Sequence, residues 1–358
     1  MLKNISDILA VSCGYAAAII GAGFASGQEI VSFFVKYGRY SIIGILISCV
    51  IFFLFSCAVL CICAENSIYN YSDFLHFVFR NKRICKAIEL MTLAFAVVSV
   101  CVMTACAARM GNVVTGVAPI LGSVVFTVIC GIILFLGNKK IMKINSGLGA
   151  VIIFGIIFSC LYILRFREHQ SAVLETSMVV SGIAYAGYNL LTAGTVLAGM
   201  GRNIKDRGEA VLSSAVSGLI LFVMMTLIWG VLSIYYNKIN LGEIPMLTMT
   251  LRQNKMLGIF YSAMLFFAVF STGVSNGFGV IDIMHRKTGR RFTIFILLLL
   301  SFCMSGAGFS NLINVAYRLC GYVGMIIVFG VIFYSFKMIK KSKMKKSEEN
   351  TSIREKNI

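Results

Sequence analysis

The sequence predicts an all-α integral membrane protein of ten transmembrane helices, arranged as two five-helix halves of opposite orientation. Three observations predict it: a charge-poor apolar composition, ten apolar runs of spanning length, and basic residues that favour alternate connections. Of 358 residues, 59% are hydrophobic and 13% charged, with mean hydropathy +0.90. Soluble domains carry about 25% charged residues, and one core of this size cannot hide so much apolar side chain. Two prolines and 33 glycines fit long helices that pack closely, or come apart, at glycine.

A helix crossing a hydrocarbon layer of roughly 30 Å needs about 20 residues. Such runs fall at about 8–36, 40–63, 87–109, 114–136, 143–164, 172–200, 210–235, 256–282, 292–308 and 311–336. The polar stretch 65–86 is expected to carry a short amphipathic helix around Phe74–Phe79. The connection 237–255, which contains Pro245, is expected to fold over the opposite side. With the N-terminus inside, the inner segments hold 23 Lys and Arg and the outer segments 7, leaving Arg109 and Arg318 within spans. Basic residues concentrate on the cytoplasmic side, so both termini are placed there. A ten-span domain occupies 1–336, with halves at about 8–164 and 172–336. A basic tail, 337–358, is expected to be disordered.

The net charge of +18 raises nucleic acid as a partner, but the clustering of Lys and Arg between apolar runs is a topology pattern. The predicted partners are a small-molecule solute and the bilayer, with no nucleic acid; the tail suits anionic lipid headgroups. The twelve cysteines fall mostly inside apolar runs, where they pack as small apolar groups. Neither a CxxC pair nor a Cys/His quartet suggests zinc, and no resident cofactor is expected. The first apolar run imitates a signal peptide, but it continues through Gly21–Gly27 into Gln28 and Glu29, which argues against cleavage. HExxH does not occur, and His76, His169 and His285 fall in loops or at helix ends, so an enzyme is not expected.

The most informative segment is Ile20-Gly21-Ala22-Gly23-Phe24-Ala25-Ser26-Gly27-Gln28-Glu29. Its three glycines each weaken a helix by about 1 kcal/mol relative to Ala. A broken helix at this depth survives only where its freed backbone lines a cavity or is buried in protein. The break would leave carbonyls suited to a cation and amides suited to an anion, with Ser26 capping the second half-helix. Gly23 to Gly27 is also a GxxxG, so a close-packing face is the competing reading. The sixth span repeats the pattern in Ser181-Gly182-Ile183-Ala184-Tyr185-Ala186-Gly187-Tyr188-Asn189. Two interrupted helices five spans apart point to an inverted-repeat transporter, discontinuous in helices 1 and 6.

The Gly-Ala-Gly-Phe-Ala-Ser-Gly-Gln-Glu string and the ten-span layout resemble the YkvI-type bacterial membrane proteins of the amino acid–polyamine–organocation superfamily, which has the LeuT-type 5+5 fold. The resemblance covers about residues 5–336. It implies a bacterial cytoplasmic membrane protein that holds substrate between the broken first and sixth helices. It also implies a sodium site: Phe266–Thr272 is similar to the corresponding segment of LeuT-type symporters. Carried over by position, the ion ligands are the Ser271 and Thr272 hydroxyls and the Ala17, Ile20 and Ala268 carbonyls. Hydroxyls in membrane helices also bond back to their own helix, so a structural role stays open for that pair. A transporter-fold nutrient sensor that moves nothing is the alternative function.

Intramembrane acids are costly and mark function by default. Glu29 can take up a proton, meet a cationic solute or pair with Arg109 or Arg318. Either Na+ or H+ can therefore serve as coupling ion. For substrate contact the candidates are Gly21, Ala22, Gly23, Phe24, Ser26, Gly27, Gln28, Tyr185, Tyr188 and Asn189. Aromatic rings and converging polar backbone suit an amino-acid-like or quaternary-ammonium solute; the two tyrosines equally suit a core with satisfied hydroxyls.

Overall fold

The computed structural model describes residues 2–136, 139–164, 177–236, 240–335 and 337, and these form helices joined by short connections. The first predicted span is α1 (Leu2–Ile19), α2 (Ala22–Ala25) and α3 (Gln28–Phe33). Then come α4 (Ile42–Asn66), α5 (Tyr71–Phe79), α6 (Lys82–Thr115), α7 (Pro119–Leu136) and α8 (Lys139–Leu164). The second half holds α9 (Ser177–Met200), α10 (Arg207–Tyr235), α11 (Pro245–Gln253), α12 (Lys255–Thr288), α13 (Arg290–Ser305) and α14 (Phe309–Leu312). A π-helical turn, Ile313–Tyr317, follows α14, and residues 318–335 continue as α-helix. The predicted tail lies outside the described residues apart from Lys337, as do Arg165, Arg167 and Lys238 of the outer connections.

Among the described residues, six stretches are long and apolar enough to cross a membrane: Arg39–Asn66, Lys82–Thr115, Pro119–Leu136, Arg207–Tyr235, Lys255–Ile281 and Phe309–Ser335. Of the other predicted spans, the first is interrupted, α13 is shorter and α9 carries more polar residues, while Val151–Leu164 of α8 is apolar as well. Ile120, Val124, Val128 and Ile132 recur every fourth residue along the exposed face of α7, and Phe154, Phe158 and Leu161 line that of α8. Meanwhile Ser48, Ser99, Thr104 and Ser217 are buried. Large apolar groups outside and hydroxyls inside invert the pattern of a water-soluble fold. The chain is a multi-pass membrane protein.

The expected break in the sixth span is not there. Helix α9 runs unbroken from Ser177 to Met200, and its glycines serve close packing instead. A Cβ on Gly182 would collide with the Gly44 carbonyl of α4, and one on Gly187 with the Gly321 carbonyl and the Met325 amide. The polar residues that suggested a break are turned inward: Ser181, Tyr185, Tyr188 and Asn189 are all buried.

The connections close the two ends. Helix α5 is the amphipathic helix expected after 65, with Asn70 capping it by accepting from the Asp73 amide at 2.8 Å. Glu65 at the end of α4 and Arg207 at the start of α10 form a two-point ion pair. On the opposite side α11 starts at Pro245, whose missing N–H costs nothing in the first turn. The Met246 amide then donates to the Ser26 carbonyl at 3.0 Å, which pins this connection onto the broken first span.

Candidate functional site

The first span breaks as its glycines suggest. Helix α1 stops at Ile19, and the Gly21 amide turns back to the Ile19 carbonyl at 2.8 Å. After the single turn of α2, Gly27 takes φ +80°, a left-handed conformation that costs other residues about 1–2 kcal/mol. The Ser26 hydroxyl accepts from the Gln28 amide at 3.1 Å and donates to the Gly23 carbonyl at 2.6 Å; the N-cap position of α3 belongs to Gly27, so Ser26 braces the turn before the helix instead of capping it. Tyr261 of α12 donates to the Ala25 carbonyl at 2.5 Å. No backbone amide among the described residues donates to the Ala17 or Ile20 carbonyl.

Of the two hydroxyls expected at the ion site, that of Thr272 lies against the break. Thr272 Oγ1 accepts from the Ala22 amide at 3.4 Å, and a Cβ on Gly21 would lie 3.5 Å from it. Ala268 is buried one turn earlier on the same helix, and Ser271 is half-buried. Thus α12 sets Thr272 against Gly21 and Ala22 of the break.

Beyond the break, Glu29 folds back over Gly23. A Cβ on Gly23 would overlap the Glu29 carboxylate, standing 2.8 Å from Cδ and 3.2 Å from Cγ. This glycine is there for the acid's side chain, since its φ is not in the left-handed region. Glu29 is 5% exposed, and its Oε2 has no hydrogen-bond partner among the described residues. The buried hydroxyls of Tyr185 and Tyr188 are likewise without one. Those two rings meet edge-on at 5.4 Å between centroids. Phe33 lies 5.5 Å from each, and Tyr188 also stacks against Phe95 at 5.6 Å and Tyr317 at 4.8 Å. Tyr317 and Asn276 both donate to Ser99, at 3.5 and 2.8 Å.

Several candidates land elsewhere. Asn189 spends its amide on the Tyr185 carbonyl of its own helix at 3.0 Å. Phe24 is fully buried. Gln28 points the other way from Glu29: its amide donates to Ser310 at 2.5 Å, and it lines a cavity of about 480 Å³ with Ser32, Lys36, Asn240 and Asn314. Glu29 does not pair with Arg109. That arginine instead lies 2.8 Å from Glu243, because the connection before α11 carries the acid to the end of α6. Glu243 also accepts from the Phe309 and Ser310 amides at 2.8 and 3.3 Å. Arg318 stacks on Phe33 at 5.4 Å and donates to the Ser32 carbonyl at 2.8 Å.

Sequence reasoning missed Phe33, Phe95, Ser99, Glu243, Asn276 and Tyr317. Ser99 and Asn276, polar groups inside apolar runs, carried a signal; Glu243, in a loop, carried none. The Arg109–Glu243 pair is partly exposed, at 37% and 24% of the two side chains, so it is screened. A double-mutant cycle with Arg109→Gln and Glu243→Gln is expected to give a coupling of about 0.5–1 kcal/mol. Thermal unfolding in detergent measures it, and strict additivity would show that the pair contributes nothing.

No known protein-family model matches the chain. It is 26% identical over 336 residues to a Bacillus subtilis (strain 168) protein described as uncharacterized protein YyaD, covering 88% of this chain and 94% of that one. It is 23% identical over 324 residues to the uncharacterized membrane protein YkvI of the same strain, covering 88% and 92%. Among solved structures, a Na+-coupled sialic acid symporter in a substrate-bound outward-open state superposes with TM-score 0.60 at 14% identity, over 90% of this chain and 78% of that one. A manganese transporter of Eremococcus coleocola gives 0.62 at 15% identity, over 91% and 78%. Inward-facing Mhp1 gives 0.57 at 14%, over 91% and 75%. The chain therefore has the LeuT-type membrane fold.

Proposed function

We propose that the protein is a secondary active transporter of a small organic solute, amino-acid-like or an amine, driven by a coupled cation through alternating access. The observation that carries this reading is the broken first span, with the Ala17 and Ile20 carbonyls uncommitted to backbone amides and Thr272 against the break. Ten spans in two inverted five-helix halves supply the framework, in a bacterial cytoplasmic membrane with both termini inside. The basic-residue asymmetry supports that orientation. Similarity to YkvI over most of both chains supports grouping the protein with the YkvI-type proteins.

Five oxygens from Ala17, Ile20, Ala268, Ser271 and Thr272 would hold a monovalent cation without a fixed negative charge, weakly enough for release. Bound there, the ion ties α12 to the break and favours the conformation that receives solute beside Gly21–Gly27. Its loss to the cytoplasm loosens that tie and lets the solute follow. A sodium-binding neighbour of the same fold supports the choice of ion; a proton at Glu29 is the other carrier of coupling.

Reconstituted vesicles test this. A sodium gradient, with a proton gradient in parallel, should drive solute accumulation, and Ser271→Ala/Thr272→Ala should cut the sodium-driven rate about tenfold or more, the equivalent of roughly 1.4 kcal/mol. Unchanged sodium dependence in a well-folded double variant would remove the ion site. Solute binding without accumulation under either gradient would select a sensor over a transporter.

A further inference from the structure

The transport reading leaves the solute's charge unassigned, and the surroundings of Glu29 supply it. We propose that the solute is an organic amine cation without a carboxylate of its own, received by Glu29 within the ring cluster of Phe33, Phe95, Tyr185, Tyr188 and Tyr317. The inference rests on the transporter reading for its site and deepens it.

Three observations carry it. First, Glu29 is buried with no basic partner among the described residues: the two arginines within spans are engaged elsewhere, Arg109 with Glu243 and Arg318 with the Ser32 carbonyl and the Phe33 ring. A carboxyl at this depth is charged only beside a positive partner and otherwise holds a proton, and none of the ion pairs among the described residues provides that partner. Second, the groups packed around it are aromatic rings, 4.8–5.6 Å apart between centroids, and the phenol hydroxyls of Tyr185 and Tyr188. Ring faces attract ammonium groups, most strongly when these are desolvated. Third, the carboxylate lies against Gly23 of the broken helix. A zwitterionic amino acid directing its own carboxylate to the amides of that break would bring two like charges together in a place of low dielectric. A plain amine brings only the cation.

The donor set also argues against a divalent metal ion as cargo. Hard divalent ions take six or more oxygens, usually from several carboxylates and carbonyls. Here one carboxylate stands among rings, and no group of three His, Cys, Asp or Glu suited to a metal occurs among the described residues. An amine needs only a counter-charge, one or two hydroxyl acceptors and apolar walls for its carbon skeleton, and the Tyr185 and Tyr188 oxygens stand ready to accept.

The test uses matched pairs that differ by the carboxylate alone: isobutylamine with valine, isoamylamine with leucine, and phenethylamine with phenylalanine. The purified full-length protein is heated with each, with and without sodium, since a ligand stabilises the state it binds. At least one amine should raise the midpoint while its amino acid does not. Glu29→Gln, nearly isosteric, should weaken that amine roughly thirtyfold or more, as loss of one partner of a buried charge pair does. Amino acids that stabilise as well as their amines, equal amine binding by the variant, or silence across all three pairs would each overturn the proposal. Uptake of the same labelled compounds into vesicles separates the two readings. Amine binding without accumulation overturns transport alone, whereas accumulation of amino acids but not amines overturns the amine assignment alone.

Discussion

Gly23→Leu is expected to insert and fold yet to lose solute uptake, by at least about tenfold in initial rate. Any side chain at 23 enters the volume held by the Glu29 carboxylate, whose Cδ would stand 2.8 Å from the new Cβ. The backbone itself tolerates a side chain there, because Gly23 is not among the glycines of positive φ. The burden thus falls on Glu29, which must swing out of its place among Tyr185, Tyr188 and Phe33. Forcing extra methylenes into a filled site costs typically 1–3 kcal/mol, so the fold survives while the carboxylate is displaced. Uptake by vesicles, beside a size-exclusion profile in detergent, measures both. Normal uptake by a well-folded Gly23→Leu protein would remove this site from the transport path.

Gly187→Leu is expected to act in the opposite way and to lose the folded protein altogether. The atoms a Cβ would strike are the Gly321 carbonyl and the Met325 amide, with the Met325 nitrogen at 2.7 Å. Both belong to backbone and cannot rotate aside. From the other helix, a Cβ on Gly324 would press on the Gly187 carbonyl carbon at 2.7 Å, so the two helices touch main chain to main chain. Separating them forfeits the packing that holds helices together in lipid, and the cost should exceed about 3 kcal/mol, the upper end of ordinary overpacking. Gly199→Ala on the same helix is the control. Nothing lies within 4 Å of its added Cβ, and helix propensity alone favours Ala by about 1 kcal/mol. Recovery of monodisperse protein after extraction distinguishes them, and equal recovery would mean that the crossing of α9 with the last helix is not as close as described.

The contrast between these two glycines explains what could be read from sequence. Length and apolar content foretold the long helices, since each must satisfy its own backbone inside the bilayer. The break at Gly21–Gly27 was legible because Ser26, Gln28 and Glu29 crowd against three glycines, and a helix has little reason to keep them all. The same signature misled at Gly182 and Gly187. Glycine opens a helix or lets a neighbour approach, and which it does depends on the partner, here Gly44 and Gly321, far away in the chain. Glu29 could be recognised as an intramembrane acid, but its position over Gly23 needed coordinates. Arg109 could be recognised as costly, yet its partner Glu243 sits in a connection where acids are ordinary. Phe33, Phe95 and Tyr317 were hidden for a related reason, because aromatic residues are common in every apolar run.

The π-helical turn at Ile313–Tyr317 has a consequence for how this site is inherited. Such a turn holds one residue more than an α-helix needs, and each residue turns a helix by about 100°. Tyr317 faces Tyr188 and Phe95, and Arg318 faces Ser32, while the same helix keeps Gly321 and Gly324 against α9. The two faces are brought into phase by that surplus residue. Losing it would leave every side chain chemically intact and yet misalign ring cluster and crossing, so the count of residues between Phe309 and Gly321 is as much a part of the proposed site as any of their identities.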